Sequence, residues 1–225
     1  MSDVLIQAKR LSKHYGDGKR IDVLVDLDVD IQTGEAVAII GQSGVGKSTL
    51  LHILGTLDQP NSGTIVFGGT DIFALNEREQ ASFRNHEIGF IFQFHHLLPD
   101  FSALENVMMP ALIQGKDRRE AEPMAQGLLE RVGLADRLEH RPGQLSGGEQ
   151  QRVAIARAIV LSPRAILADE PTGNLDPVTG AGVHQLLMEL NRERRMTLVV
   201  VTHNTQLSQL AHRTLKLEGG KLHPA

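Results

Sequence analysis

No cysteine occurs among the 225 residues, which excludes disulfides, thiolate metal sites, cysteine nucleophiles and the haem-thiolate and iron-sulfur chemistry that needs them. Tryptophan is missing too, tyrosine occurs once, and aromatics reach only 4%. A surface of stacked aromatic platforms for single-stranded nucleic acid has little raw material here. Basic charge is scarce: 23 Lys and Arg against 27 Asp and Glu give a net charge of -4, with no basic block, so nucleic acid is not an expected partner. No run approaches the roughly 18 consecutive apolar residues of a membrane span. Met1 to Arg10 offers only Val4, Leu5 and Ile6 after an aspartate, without the order of a secretory signal, so a cytoplasmic product is expected.

What is present is enough for a core: 41% hydrophobic residues, in a length that suits one large domain or a core with a modest insertion. Residues Ile21 to Ile31 alternate, with Val23, Val25, Leu27, Val29 and Ile31 on one face, the pattern of a half-buried strand. With Val4 to Lys9 they predict an antiparallel opening sheet. Ala36 to Ile40, Ala165 to Ala168 and Leu198 to Val201 are short, nearly continuous apolar runs, as in parallel strands covered on both faces. Helices are predicted to begin near Lys47, Val178 and Thr205, giving a doubly wound α/β sheet with its chemistry at the strands' carboxyl ends. Between Leu104 and Arg141 strand signals stop, and Ala121, Met124, Ala125, Leu128, Leu129 and Val132 recur at helical spacing. A small helical insertion follows from that spacing.

Three places carry chemistry. Gly41-Gln42-Ser43-Gly44-Val45-Gly46-Lys47-Ser48 has the spacing of a phosphate-binding loop, where backbone N–H groups turn inward, Lys47 neutralises phosphate and the Ser48 hydroxyl reaches Mg²⁺. Chance gives this pattern in about one chain of this size per hundred, and the strand before it and helix after it lower that further. Ala165 to Ala168 ends in Asp169-Glu170: Asp169 suits a holder of Mg²⁺, Glu170 a group that orients or deprotonates water. Ser146 can cap a helix whose first residues, Gly147 and Gly148, leave N–H groups uncovered, a second anion site.

The phosphate loop, Leu145-Ser146-Gly147-Gly148-Glu149-Gln150, Asp169-Glu170, Asn174-Leu175-Asp176 and His203, in that order, resemble the ATP-binding subunits of ABC transporters along nearly the whole chain. The resemblance implies a P-loop NTPase core with a mainly parallel sheet, an N-terminal antiparallel β-subdomain and an inserted α-helical subdomain. Core and β-subdomain would take about 1–92 and 160–225, and the Gln93 loop, helical subdomain and signature helix about 93–159. It implies a head-to-tail dimer of two copies with ATP and Mg²⁺ between them. Tyr15 would stack on adenine, and Gly41, Gln42, Ser43, Gly44, Val45, Gly46, Lys47, Ser48 and Thr49 would wrap the phosphates. Ser48, Gln93 and Asp169 would serve the metal, and Glu170, His203, Lys47 and Gln93 the hydrolysis. Ser146, Gly147, Gly148, Glu149 and Asp176 would reach the nucleotide from across the interface. Asn204 departs from the Asp common after this His, and Val45 from a frequent Ser.

Ile88 to Phe101, continuing through Leu104-Glu105-Asn106-Val107, is most similar to the lipoprotein-releasing branch of that family, with macrolide-export and cell-division branches close behind. The resemblance implies a place on the cytoplasmic face of the inner membrane, with membrane subunits engaged around Phe94 to Phe101 and lipoprotein cargo served indirectly. Part of Phe94 to Phe101 is expected to line a groove for a short helix. Two other classes stand against this: a soluble DNA-repair type ATPase, which would need coiled coil or zinc modules that heptads and cysteines do not supply here, and a module that binds ATP without turnover, which would lack Lys47 or Glu170.

Overall fold

Alternation builds the first sheet. In the computed structural model, which describes residues 4–16 and 20–225, β1 (Val4–Tyr15) pairs antiparallel with β2 (Ile21–Gln32) and buries Leu27, Val29 and Ile31. At Asp26 the phase slips. Its backbone takes a left-handed φ of 48°, and the register passes from Leu11 opposite Leu27 to Lys13 opposite Leu24. One extra residue in β2 therefore turns Leu24 inward and leaves Val25 exposed, so the expected face through Val23 and Val25 breaks at a bulge. Gly16-Asp17-Gly18, directly after Tyr15, reads as a turn, and Asp17 and Gly18 lie outside the described residues.

The chain continues through β3 (Ala36–Ile40), α1 (Lys47–Leu54), β4 (Ser62–Phe67), β5 (Thr70–Asp71), α2 (Glu77–Glu87) and β6 (Ile88–Ile91). Next come α3 (Ala103–Ile113), α4 (Arg118–Arg131) and α5 (Gly147–Ile159), then β7 (Ala165–Asp169), α6 (Pro177–Arg194), β8 (Thr197–Val201), α7 (Thr205–Leu210), β9 (Arg213–Glu218) and β10 (Lys221–Pro224). Two sheets form among the described residues, β2-β1-β4-β5 and β10-β9-β3-β8-β7-β6; in the second, only the β10 to β9 pairing is antiparallel.

The central strands divide their side chains between two cores, as a doubly covered sheet requires. Val37, Ile39, Leu167, Val199 and Val201 pack with Leu50, Leu51, Ile53 and Leu54 of α1 and with the first sheet. Ala36, Ala38, Ile166, Ala168, Leu198 and Val200 pack on the opposite side, continuous with the apolar faces of α3 to α6. In α4 the expected positions Ala121, Ala125, Leu128 and Leu129 are buried. Strands β3, β7 and β8 therefore end along one edge, each handing the chain to the loop that follows.

Candidate active site

Helix α1 is the one α-helix among the described residues whose first turn no side chain caps; Asn76, Ser102, Asp117, Ser146, Asp176 and Asn204 cap the others. Gly46 occupies that cap position with φ of 107°, and a Cβ there would lie 2.4 Å from Val23 Cγ1. Only glycine takes this turn without strain, and the N–H groups beyond it, uncapped by any side chain, can receive an anion. Lys47 is buried to 9% exposure and donates at 2.9 Å to the carbonyls of both Gly41 and Gln42, which hold its ammonium over the loop.

The carboxylates arrive from β7. Ser48 Oγ donates to Asp169 Oδ1 at 3.1 Å, so the loop's hydroxyl and the strand's carboxylate share one corner. Burial pushes the Asp169 carboxyl above its ordinary value, against the Ser48 hydrogen bond and the Lys47 charge, and a cation here would restore the ionised form. Two oxygen donors beside a phosphate loop fit Mg²⁺, which takes one or two protein oxygens and completes its shell with phosphate and water. No cluster of three or more His, Asp or Glu side chains offers an all-protein cage among the described residues.

Glu170 sits at a left-handed φ of 44°, and its carboxylate is pinned from β8: Thr202 Oγ1 and His203 N each donate to it at 3.0 Å, and His203 Nδ1 lies 2.8 Å from Oε1. The strain and the three contacts fix the carboxylate's direction. Gln93, at the end of the segment after β6, exchanges hydrogen bonds with Asn174: its Nε2 donates to Asn174 Oδ1 at 2.9 Å, and Asn174 Nδ2 donates back to Gln93 O at 3.1 Å. Tyr15, 44% exposed, donates to Asp58 Oδ2 at 2.7 Å, with Lys13 Nζ 4.8 Å from its ring centroid; burial and that hydrogen bond raise its phenol. Tyr15, Ser43, Gly44, Gly46, Lys47, Ser48, Thr49, Gln93, Asp169, Glu170 and His203 line one cleft of 550 Å³ together with Val23.

Ser146, Gly147, Gly148, Glu149 and Asp176 do not line that cleft. Ser146 and Glu149 close a reciprocal cap at the start of α5, and Asp176 Oδ1 accepts from Val178 N and Thr179 N to cap α6. Asn204, in place of the Asp expected there, caps α7 through Gln206 N and Leu207 N. Thr202 escaped sequence reasoning, although its place directly before His203 at a strand end marks it. Asn174 entered only as part of the Asn174-Leu175-Asp176 motif.

The family profile described as ABC transporter matches residues 24–173. The chain belongs to the ABC transporter family. It is 58% identical over 219 residues to the lipoprotein-releasing system ATP-binding protein LolD of Geobacter metallireducens, covering 97% of each chain. To the LolD protein of Myxococcus xanthus it is 57% identical over 222 residues, 98% of this chain and 99% of that one. Among solved structures it is similar to a dimeric ATP-binding cassette in a post-hydrolysis state bound to ADP and Pi, at TM-score 0.89 and 39% identity over 97% of each chain. As an ABC cassette it is an ATP hydrolase coupled to transport.

A second concavity lies beside β6: a groove of 370 Å³ whose apolar wall is Leu57, Phe90, Phe92, Pro110, Ile113 and Leu161. Part of Phe94 to Phe101 is expected from the sequence to line a groove, and the wall of this one is drawn from other elements. Phe94, Leu98 and Phe101 are instead exposed, at 66%, 39% and 39%. The segment is clamped to the cassette by Asn106, fully buried, whose Nδ2 donates to the carbonyls of Leu98, Phe101 and Ser102, and by Arg157, which donates to those of His95 and His96. No helix among the described residues is long and apolar enough to cross a membrane.

Proposed function

We propose that two copies of this chain sandwich two ATP molecules head to tail and power the release of lipoproteins from the inner membrane toward the outer membrane, working from the cytoplasmic face. The observation that carries the ATP site is the convergence of the uncapped α1 terminus, Lys47, Ser48, Asp169 and the pinned Glu170 in one cleft. Lys47 leaves its loop carbonyls for the outer phosphates, and Tyr15 offers the ring face away from Lys13 to adenine. Ser48 and Asp169, with Gln93, would hold Mg²⁺, which when bound neutralises phosphate charge. Glu170, its direction set by Thr202 and His203, orients water toward the γ-phosphate and takes its proton, while His203 contacts the phosphate from beside it. Ser146, Gly147, Gly148, Glu149 and Asp176 come from the partner, which accords with their place outside this chain's own cleft.

Coupling would run through Gln93 to the membrane subunits, which dock on the exposed Phe94, Leu98 and Phe101 and on the neighbouring groove. Identity above 50% over nearly full length with proteins of lipoprotein-releasing systems supports that branch. The test is release of a lipid-anchored protein from inner-membrane vesicles carrying the intact complex. ATP should drive release with the parent chain, and Glu170→Gln should bind ATP yet release nothing. ATP turnover without cargo release would move the chain to another export branch.

A further inference from the structure

The start of α5 carries a charge that its proposed task disfavours. Glu149 Oε2 accepts from Ser146 N at 2.8 Å and from Ser146 Oγ at 2.9 Å, while Ser146 Oγ accepts from Glu149 N at 3.3 Å. This reciprocal cap stabilises the helix end, and it also uses the Ser146 hydroxyl proton and sets a full carboxylate beside bare glycine N–H groups. A glutamine in the same box would do the capping without charge. The Ser146 backbone N–H, its hydroxyl and the Arg137 guanidinium hold the Glu149 carboxyl at about 2, so it is ionised wherever ATP is. Any phosphate docking on this helix end meets a like charge, and the repulsion grows as the interface closes and water leaves.

Arg137 answers that charge. It ends the short 3₁₀ turn Ala135–Arg137, and its Nε donates to Glu149 Oε1 at 3.1 Å, the oxygen left over by Ser146's backbone and hydroxyl contacts. The carboxylate is 21% exposed and the guanidinium 43%, so the cation covers the flank of the helix start while Gly147, its first residue, stays exposed. A guanidinium suits the place because it stays charged and its planar fork keeps one geometry.

We propose that Arg137 is a positioning residue of the ATP sandwich, which by pairing with Glu149 cancels the charge that this carboxylate presents to the partner's nucleotide and so lets Ser146 and its glycines receive a phosphate. The inference rests on the reading that Ser146 faces the nucleotide of the other copy. A role in folding alone makes a different demand: it would be lost with Arg137 whatever stood at Glu149.

The experiment measures ATP-dependent dimerisation of the full chain by analytical ultracentrifugation, in a Glu170→Gln background that keeps ATP uncleaved, with melting temperature recorded for every variant. Arg137→Gln is expected to weaken the dimer about tenfold or more, as loss of a close charge partner at an interface does. Adding Glu149→Gln to it should return the dimer to the level of Glu149→Gln alone. If Arg137→Gln unfolds, Arg137→Lys carries the same comparison, with a smaller loss and the same rescue. Unchanged dimerisation of Arg137→Gln overturns the proposal, as does a double variant that stays as weak as Arg137→Gln. Ser146→Arg separates the two readings: if it too dimerises normally with ATP, the sandwich itself is wrong, whereas if it blocks dimerisation and Arg137→Gln does not, only the role of Arg137 falls.

Discussion

Gln93 and Asn174 hold each other by two hydrogen bonds, one from each side-chain amide, across a sequence separation of 81 residues. The loop that leaves β6 toward the exposed Phe94 is thereby tied to the loop that leads from Glu170 to α6. In the proposed coupling, a shift at the nucleotide would pass to the docking surface through this pair, and a shift there would pass back, as linkage requires.

Asn174→Ala should therefore separate binding from coupling. Loss of two hydrogen bonds worth about 0.5–1.5 kcal/mol each, about 1–3 kcal/mol together, predicts roughly a five- to 150-fold fall in ATPase activity of the membrane complex. ATP affinity of the isolated subunit should stay within about twofold, since Asn174 does not line the cleft. Equilibrium nucleotide titration alongside steady-state turnover checks this, and equal losses in both would mean the clasp serves binding.

Gly89→Ala tests packing rather than chemistry. A Cβ at Gly89 would lie 2.2 Å from the Ala158 carbonyl oxygen, so β6 and α5 approach too closely there for any side chain. Overpacking of this kind costs about 1–3 kcal/mol. Urea unfolding should show a lower midpoint, and an unchanged midpoint would mean that the two elements separate freely.

The strands that were legible in the sequence are those covered on both faces. Ala36–Ile40 shows as an unbroken apolar run because both of its faces are buried, and the helical insertion shows because Ala121, Ala125, Leu128 and Leu129 repeat along one face. The bulge at Asp26 was not legible, because alternating apolar residues continue through it and only the partner strand's register reveals the slip. Motif spacing exposed Lys47, Asp169 and Glu170, since chemistry ties those residue types to strand ends. The groove beside β6 stayed hidden: Leu57, Phe90, Ile113 and Leu161 come from separate stretches that only the fold assembles.

Glu149 gives a pH signature. Its carboxyl lies at about 2 in the folded chain against about 4.3 in an unfolded one, so it stabilises the fold above that unfolded value and loses the contribution as pH falls toward 2. The stability gap between the parent and Glu149→Gln should hold steady from neutral pH down to about 5 and then shrink as pH falls further. Thermal unfolding of both proteins across that window measures it, and a gap that persists to pH 2 would show that the cap owes nothing to ionisation.

The claim that one chain supplies the phosphate loop and the other the Ser146 helix is tested most directly by ATP occlusion in mixed dimers of Lys47→Ala and Ser146→Arg. With both changes in one subunit beside an unaltered partner, each composite site loses one half, and occlusion should vanish from both. With the changes divided between subunits, one site is damaged twice and the other is intact, so occlusion of one ATP per dimer should remain. Equal occlusion in the two arrangements would contradict the account and mean that each chain builds its site alone.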